Sequence, residues 1–165
     1  MAIASVLQNS FKTELLRGLH SFDTSGASPA GNAFKIALYS SGSANLTTTT
    51  TQWVVASTPT ADPTNTYEVT TTASGYTSGG NALTNTGVGI STVTSFTDFS
   101  DTSWTSASFT ARGCLIYNST SQTGLTANAA VCSIDFGGDK TVSSGTFTIQ
   151  FPTNDSSSAI IRITS

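Results

Sequence analysis

The chain has 165 residues, of which 9% are charged, with six Lys and Arg against nine Asp and Glu. Typical soluble domains carry about a quarter charged residues, whereas here Ser and Thr make up about a third of the chain. The sequence has no basic stripe for binding nucleic acid and no run of about 18 apolar residues that could span a membrane. Its length predicts a single domain over residues 1–165. We expect hydroxyl groups, rather than charges, to make the surface of this domain polar.

The first predicted element is an amphipathic helix over residues 5–21. Its apolar stripe is Leu7, Phe11, Leu15 and Leu19, which recur every four residues, widened by Leu16 and Phe22. The charged side chains of Lys12, Glu14 and Arg17 fall largely off this stripe, so we expect them to face water. The helix should cover one face or edge of a sheet.

His20, near the end of this helix, is the only histidine of the chain. We expect a satisfied, partly buried side chain rather than a catalytic base, because no Ser or Cys motif signals a partner for it.

Residues 33–164 are predicted to be rich in β-strands. Ala33–Tyr39 alternates apolar and other residues, as a half-buried strand does. Ser40–Thr51 ends in five threonines and is expected to be mobile or to face solvent. Gly75–Thr86 predicts a turn with a strand edge, since no Lys follows its glycines as a phosphate-binding loop requires. Val88–Phe96 predicts one further strand.

Four strand-length runs dominate the C-terminal part of the chain. They are Trp104–Tyr117, Ala129–Phe136, Gly145–Pro152 and Ala159–Ile163. Short strands in close succession are stable only within an antiparallel sheet that has one covered face. The fold class predicted from these patterns is mainly β, an antiparallel β-sandwich or jelly-roll-like domain with one N-terminal helix.

Two cysteines, Cys114 and Cys132, share their faces with Ile116 and Ile134 in the alternation. If the two runs form a long-looped hairpin, the thiols lie close together on one buried face. The opening residues 1–7 lack the positive start of a signal peptide, so we expect synthesis in a cytoplasm. Free, buried thiols are therefore favoured over a disulfide.

Four aspartates lie close together in the sequence as two pairs, Asp98 with Asp101 and Asp135 with Asp139. Paired carboxylates can serve a glycosidase or hold calcium, but neither spacing matches an EF-hand loop. Asp is also common in turns at strand ends, and that interpretation is preferred. Arg112 is expected to pair one of these aspartates across strands. We predict no catalytic residue, no cofactor and no metal site.

Several segments are similar to those of small structural proteins of tailed bacteriophages. They are Ser10–His20, Phe34–Tyr39, Ser74–Asn85, Phe96–Trp104, Ala111–Asn118 and Asp135–Lys140. Cys114 departs from the small residue, often alanine, associated with its position. The resemblance implies a non-enzymatic virion component, assembled in the host cytoplasm, and brings no catalytic residues with it.

Two roles in a virion are compatible with this resemblance. A capsid decoration (cement) protein would bind the outside of the shell, contacting the major capsid protein and copies of itself, with trimers at symmetry axes as a natural arrangement. Alternatively, a tail or tail-fibre component would contact a host receptor, with Trp53, Tyr76 and Trp104 as exposed sugar-stacking platforms.

The Ser/Thr-rich loops around Leu46–Thr51 and Ser119–Asn128, together with both termini, are the best candidates for contacts with a partner. The residues selected are Leu46, Thr47, Thr51, Ser119, Gln122 and Leu125. An enzyme, such as a carbohydrate-active jelly roll, would need the aspartates to converge in one pocket.

Overall fold

The computed structural model describes residues 3–26, 31–41, 46–54, 67–69 and 75–165. Within these residues the fold is mainly β, with two antiparallel sheets and one short helix, as the alternating pattern predicts. The elements are β1 (Val6–Leu7), α1 (Asn9–Leu16), β2 (Phe34–Tyr39), β3 (Asn81–Leu83), β4 (Asn85–Ser91), β5 (Thr94–Phe99), β6 (Thr102–Asn118), β7 (Ala129–Ile149) and β8 (Ile161–Thr164).

A long hairpin of β6 and β7 forms the centre of the larger sheet, whose strand order is β1-β7-β6-β2-β3. The hairpin pairs from Asn118↔Ala129 to Thr102↔Ile149, interrupted by several register shifts. The smaller sheet has the order β4-β5-β8. Because β1 and β2 pair only with one half of the hairpin, the other half extends beyond them as a two-stranded ribbon.

The helix is much shorter than the predicted span of residues 5–21. Val6 and Leu7 instead pair with Ser133 and Cys132 of β7, so α1 begins only at Asn9. The helix ends at Leu16, and Gly18 follows with a φ of 72°. A left-handed glycine just past a helix is a common stop signal.

Two side chains of α1 contradict the predicted faces. Glu14, expected to face water, is 6% exposed, whereas Leu16, expected on the apolar stripe, is 91% exposed. The shortened helix packs through Phe11, which is fully buried. Glu14 is accommodated inside because it has buried hydrogen-bond partners, described below.

Two strand predictions were wrong in their boundaries. Ala129–Phe136 and Gly145–Pro152 were predicted as separate strands, but β7 runs through both, from Ala129 to Ile149. Residues 136–139 form a bulge between the pairs Gly113↔Asp135 and Ala111↔Lys140, which explains the break in alternation. Conversely, Val88–Phe96 is divided between β4 and β5 by a turn at Thr92, where φ is 55°.

The larger sheet is covered on both faces, which corrects the prediction that β2 is half-buried. Phe34, Ile36 and Leu38 face the main core, where they meet Phe11 and the smaller sheet. Ala37 and Tyr39 face a second cluster on the opposite side. The sheet also contributes Leu115, Tyr117 and Ala130 to this second cluster, and Ile3, Leu46 and Trp53 cover it from outside the sheet. The segment 46–54 thus adds a third layer over the outer face.

Among the described residues, no helix is long and apolar enough to cross a membrane.

Candidate interaction surface

The two loops selected from the sequence lie at the same end of the larger sheet. Residues 46–54 lie alongside the start of β7. Ala130 N donates to Thr51 O, and Trp53 N donates to Asn128 O, both at 2.9 Å. Residues 119–128 connect β6 to β7. We call these two segments together the hydroxyl-rich end. Neither contains an ionisable residue, so the surface is neutral and offers many hydroxyl groups.

The segment Ser40–Thr51 is predicted to be mobile or to face solvent. Its residues 42–45 lie outside the described part of the chain, and three threonines of its tract, Thr48, Thr49 and Thr51, are exposed. Thr50 N donates to Thr47 O, and the Thr50 hydroxyl accepts from Thr47 N. Thr47 is half-buried, Thr50 is buried, and Thr51 is exposed. Ala4 N donates to Leu46 O and Asn9 N donates to Thr48 O, so the N-terminal segment holds this tract in place.

Leu46 is the one selected contact residue that the structure places in the interior. Its side chain is fully buried in the second cluster, beside Tyr39 and Trp53. Leu46 therefore anchors the loop to the outer face of the larger sheet, and its side chain is not available to a partner in this conformation. The prediction of Leu46 as a contact residue is corrected accordingly.

The second loop is anchored at both of its ends. Ser119 N and its hydroxyl donate to Ala33 O, at 2.8 and 3.1 Å. Gln122 is exposed, Leu125 is half-buried, and Leu125 N donates to Gln122 O within a turn. Ser119 is also half-buried. The selected residues of this loop thus lie at the surface on a backbone fixed by hydrogen bonds.

A buried polar network behind the second loop ties it to the helix. Glu14 accepts from the Thr126 hydroxyl at 2.7 Å and from His20 Nε2 at 3.1 Å. On the other side of the ring, Asn118 Nδ2 lies 3.0 Å from His20 Nδ1 and also donates to Asn32. Because Asn118 presents a donor, Nδ1 must accept and the proton lies on Nε2.

This network makes His20 a structural histidine, as the sequence predicts. Both ring nitrogens are occupied, and the side chain has no exposure to solvent. Burial lowers the pKa of His20, and this effect exceeds the opposing one of the Glu14 carboxylate. A neutral ring with both nitrogens bonded has no free lone pair with which to activate a nucleophile.

The lowered pKa of His20 predicts acid-sensitive stability. Below the pKa of about 6.5 that an unfolded histidine has, the unfolded chain binds a proton that the folded chain resists. The contribution of His20 to the free energy of unfolding should therefore be constant above pH 7 and fall below pH 6.5, by up to about 1.4 kcal/mol per pH unit. Urea unfolding at pH 7.5 and 5.5 measures this difference.

The matched control is His20→Gln. Its amide can donate to Glu14 and accept from Asn118, so it should hold the network without titrating. We expect this variant to be equally stable at both pH values. If the unmodified chain and His20→Gln lose the same stability between pH 7.5 and 5.5, the acid sensitivity comes from titratable groups other than His20.

A second buried carboxylate, Glu68, was not singled out from the sequence. Glu68 Oε1 accepts from the Tyr76 hydroxyl at 2.8 Å and from Gly79 N at 2.6 Å. Its Oε2 accepts from Trp53 Nε1 at 3.2 Å and from the Ser78 hydroxyl at 3.1 Å. One side chain thereby joins three separate stretches of chain next to the hydroxyl-rich end.

The three aromatic residues considered as sugar-stacking platforms are all buried. Trp53 is 7% exposed and stacks on Tyr117, with ring centroids 5.2 Å apart. Tyr76 and Trp104 are 5% and 3% exposed and stack on each other at 6.2 Å. Their faces are therefore occupied by neighbouring rings.

The four aspartates have separate roles in the structure. Asp98 is buried and accepts from Phe99 N and Ile160 N, while burial raises its pKa. Asp135 pairs with Arg112 at 2.9 Å across β6 and β7, as predicted, and this ion pair lowers the pKa of Asp135.

Asp101 and Asp139 are exposed, and Asp101 accepts from the backbone of Phe151. Within the described ranges, no group of three or more His, Cys, Asp or Glu side chains is placed to hold a metal ion.

The cysteines lie as the hairpin hypothesis predicts. Cys114 pairs with Ile134, and Ile116 pairs with Cys132, so the two thiols are diagonal neighbours on adjacent strands. Both are free and buried. Burial raises the pKa of Cys114 well above its usual value and that of Cys132 to about 12. Neither forms a reactive thiolate at neutral pH.

Comparison with protein-family models, with curated proteins and with solved structures gives no match.

Proposed function

We propose that the chain is a non-enzymatic virion protein of a tailed bacteriophage, a decoration protein that binds the outside of the capsid shell and stabilises it. The observation that carries this proposal is the hydroxyl-rich end, a neutral surface on a rigid sheet. Covering such a surface removes no charge from water, which is the costly part of forming most protein contacts. Its hydroxyl groups can donate or accept at each contact.

The hydrogen bonds that hold the hydroxyl-rich end in place support a role in binding. The threonine tract is held by the N-terminal segment and by β7, and the second loop is held by Ala33 and by Glu14. A surface that is ordered before binding loses little conformational entropy when a partner covers it. Many copies on a capsid lattice would then add their individually modest affinities.

The alternative, a tail or tail-fibre component that contacts a host receptor, has less support. It relies on exposed aromatic platforms, but Trp53, Tyr76 and Trp104 are each at most 7% exposed. A carbohydrate-binding role would have to use other side chains. The major capsid protein, together with copies of this chain, remains the preferred partner, and the virion is the proposed location.

The test is binding of the purified protein to expanded capsid shells that lack it. We expect saturable binding, and we expect bound shells to resist heat better in calorimetry, because a ligand specific for the assembled shell stabilises it. Placing charge on the hydroxyl-rich end with Thr51→Lys and Gln122→Lys should weaken binding at least about tenfold, since each charge must be desolvated.

The matched control is Thr146→Lys, which adds the same charge at an exposed position near the opposite end of the β6–β7 hairpin. This variant should bind as the unmodified chain does. Shells that bind no protein, or that melt at the same temperature with and without it, would refute the proposal. Equal loss in both variants would show that the binding surface lies elsewhere.

A further inference from the structure

The orientation of the Asn118 side-chain amide is fixed by two backbone N–H groups. Thr120 N donates to Asn118 Oδ1 at 3.0 Å. Ser21 N donates to Asn32 Oδ1 at 2.8 Å, and the same Asn32 oxygen accepts from Asn118 Nδ2 at 2.9 Å. Turning the Asn118 amide over would place two acceptors against each other at Asn32 and two donors against each other at Thr120. Asn118 therefore presents N–H groups to His20.

This arrangement leaves a second proton on His20 without an acceptor. His20 Nδ1 lies 3.0 Å from Asn118 Nδ2, so a proton added to Nδ1 would point at an N–H group. The side chain of His20 has no exposure to solvent, and Asn118 is fully buried, so water cannot easily serve as the acceptor. The neutral ring and the observed position of the Asn118 amide thus require each other.

The charged groups around the ring come from two elements. On α1, Glu14 contacts His20 Nε2, and its negative charge favours a protonated ring. Asp23, in the segment that carries His20, lines the same apolar hollow as His20, and the smaller sheet lines that hollow with uncharged side chains. On the other side, Asn118 is neutral and residues 119–128 contain no ionisable residue. Burial outweighs the Glu14 charge and lowers the pKa of His20.

The Asn118 amide holds the start of the second loop. Asn118 is the last residue of β6, where its backbone pairs with Phe34 and Ala129. Its side chain bonds Thr120 in the loop and Asn32 just before β2. If this amide turns away from a protonated His20, both side-chain hydrogen bonds are lost at once, whereas the backbone pairing of β6 is kept.

We propose that protonation of His20 at Nδ1 is an acid-sensitive switch that releases residues 118–120 from the segment around Asn32. The release is local, because the pairing of β6 with β2 and β7 does not use the Asn118 side chain. Residues 119–128 belong to the hydroxyl-rich end, so acid should also weaken binding to a capsid shell. That consequence rests on the proposed function, whereas the switch itself does not.

Amide hydrogen exchange, followed by NMR at pH 7.5 and 5.5, tests the switch without any capsid shell. The reporters are the amides of Thr120 and Ser21, which donate to Asn118 and Asn32. Relative to the intrinsic rate at each pH, their exchange should accelerate up to about tenfold, since one unit below a pKa of about 6.5 the uptake of one proton favours the opened form by that factor.

Low concentrations of urea distinguish local release from global unfolding. A local opening exposes little surface, so exchange at Thr120 and Ser21 should not depend on urea. Exchange at Ala37 and Leu115, which pair at the centre of the larger sheet, should depend on it. The proposal is overturned if the two reporter amides show the same urea dependence as the central pair, or if acid does not accelerate them.

Two variants identify the group that titrates. His20→Gln does not titrate, so its reporter amides should be equally protected at both pH values; an acceleration as large as in the unmodified chain would overturn the proposal. Asn118→Asp offers a carboxylate to the proton on Nδ1. The midpoint of the His20 titration, followed by NMR on the single histidine of the chain, should move from below about 6.5 to above it. A midpoint that this variant leaves unchanged would equally overturn the proposal.

Discussion

Replacing Glu68 by Ala should destabilise the protein by about 3–5 kcal/mol, because four donors lose their acceptor at once. These donors, the groups of Trp53, Tyr76, Ser78 and Gly79, lie at or near the interior. Water cannot easily replace the carboxylate there. Since natural domains are stable by only about 5–15 kcal/mol, the variant should be close to unfolding, and urea denaturation measures the change.

Two controls separate the lost hydrogen bonds from the lost charge. Glu68→Gln keeps the shape and one accepting oxygen but turns an amide donor toward the remaining donors, so its loss should be intermediate. Asp139→Ala removes one negative charge at an exposed position and should change stability by less than about 0.5 kcal/mol. A Glu68→Ala protein as stable as Asp139→Ala would contradict the proposed structural role of this carboxylate.

Gly80→Ala should cost at least about 3 kcal/mol, because the added methyl group has no space. Gly80 has a φ of 67°, and a Cβ there would overlap the backbone carbonyl of Ile36 and approach Ala37. Both of these residues belong to β2, to which β3 pairs directly after Gly80. Relief of the overlap would require β3 to move away from the sheet edge.

Gly137→Ala is the matched control for this substitution. Gly137 has a similar φ of 73°, but nothing lies within 4 Å of an added Cβ. Its replacement by alanine should lower the free energy of unfolding by only about 1–2 kcal/mol, the energy needed to hold a non-glycine residue in the left-handed conformation. Comparing the two variants by urea denaturation isolates the steric part, and equal losses would rule out close packing at Gly80.

The sequence was informative wherever the physical cause is local. Alternation along β2 and β6 identified strands, because neighbouring side chains in a strand point to opposite faces whatever the rest of the fold does. The burial of His20 and an ion pair of Arg112 with one of the four aspartates were also predicted, although the sequence did not decide that Asp135 is the partner. The two selected loops also lie together at one end, although no local pattern required it.

Predictions failed where distant residues decide the outcome. Glu14 is buried because Thr126 lies against it from the far loop, and Leu46 is buried because the outer face of the sheet needs a cover. Val6 leaves the predicted helix to pair with Ser133, so tertiary pairing overrides helical periodicity. No sequence pattern indicated that Glu68 is buried, because the groups that donate hydrogen bonds to it come from other parts of the chain.

The strand order β1-β7-β6-β2-β3 has a consequence for how the chain folds. The two central strands come late in the sequence, and their connection spans only residues 119–128, so closing this hairpin costs little loop entropy. Of the two strands that flank it, β2 also pairs with β3, whereas β1 pairs only with β7. During synthesis β1 must therefore wait for its sheet partner until Cys132 and Ser133 of β7 have left the ribosome.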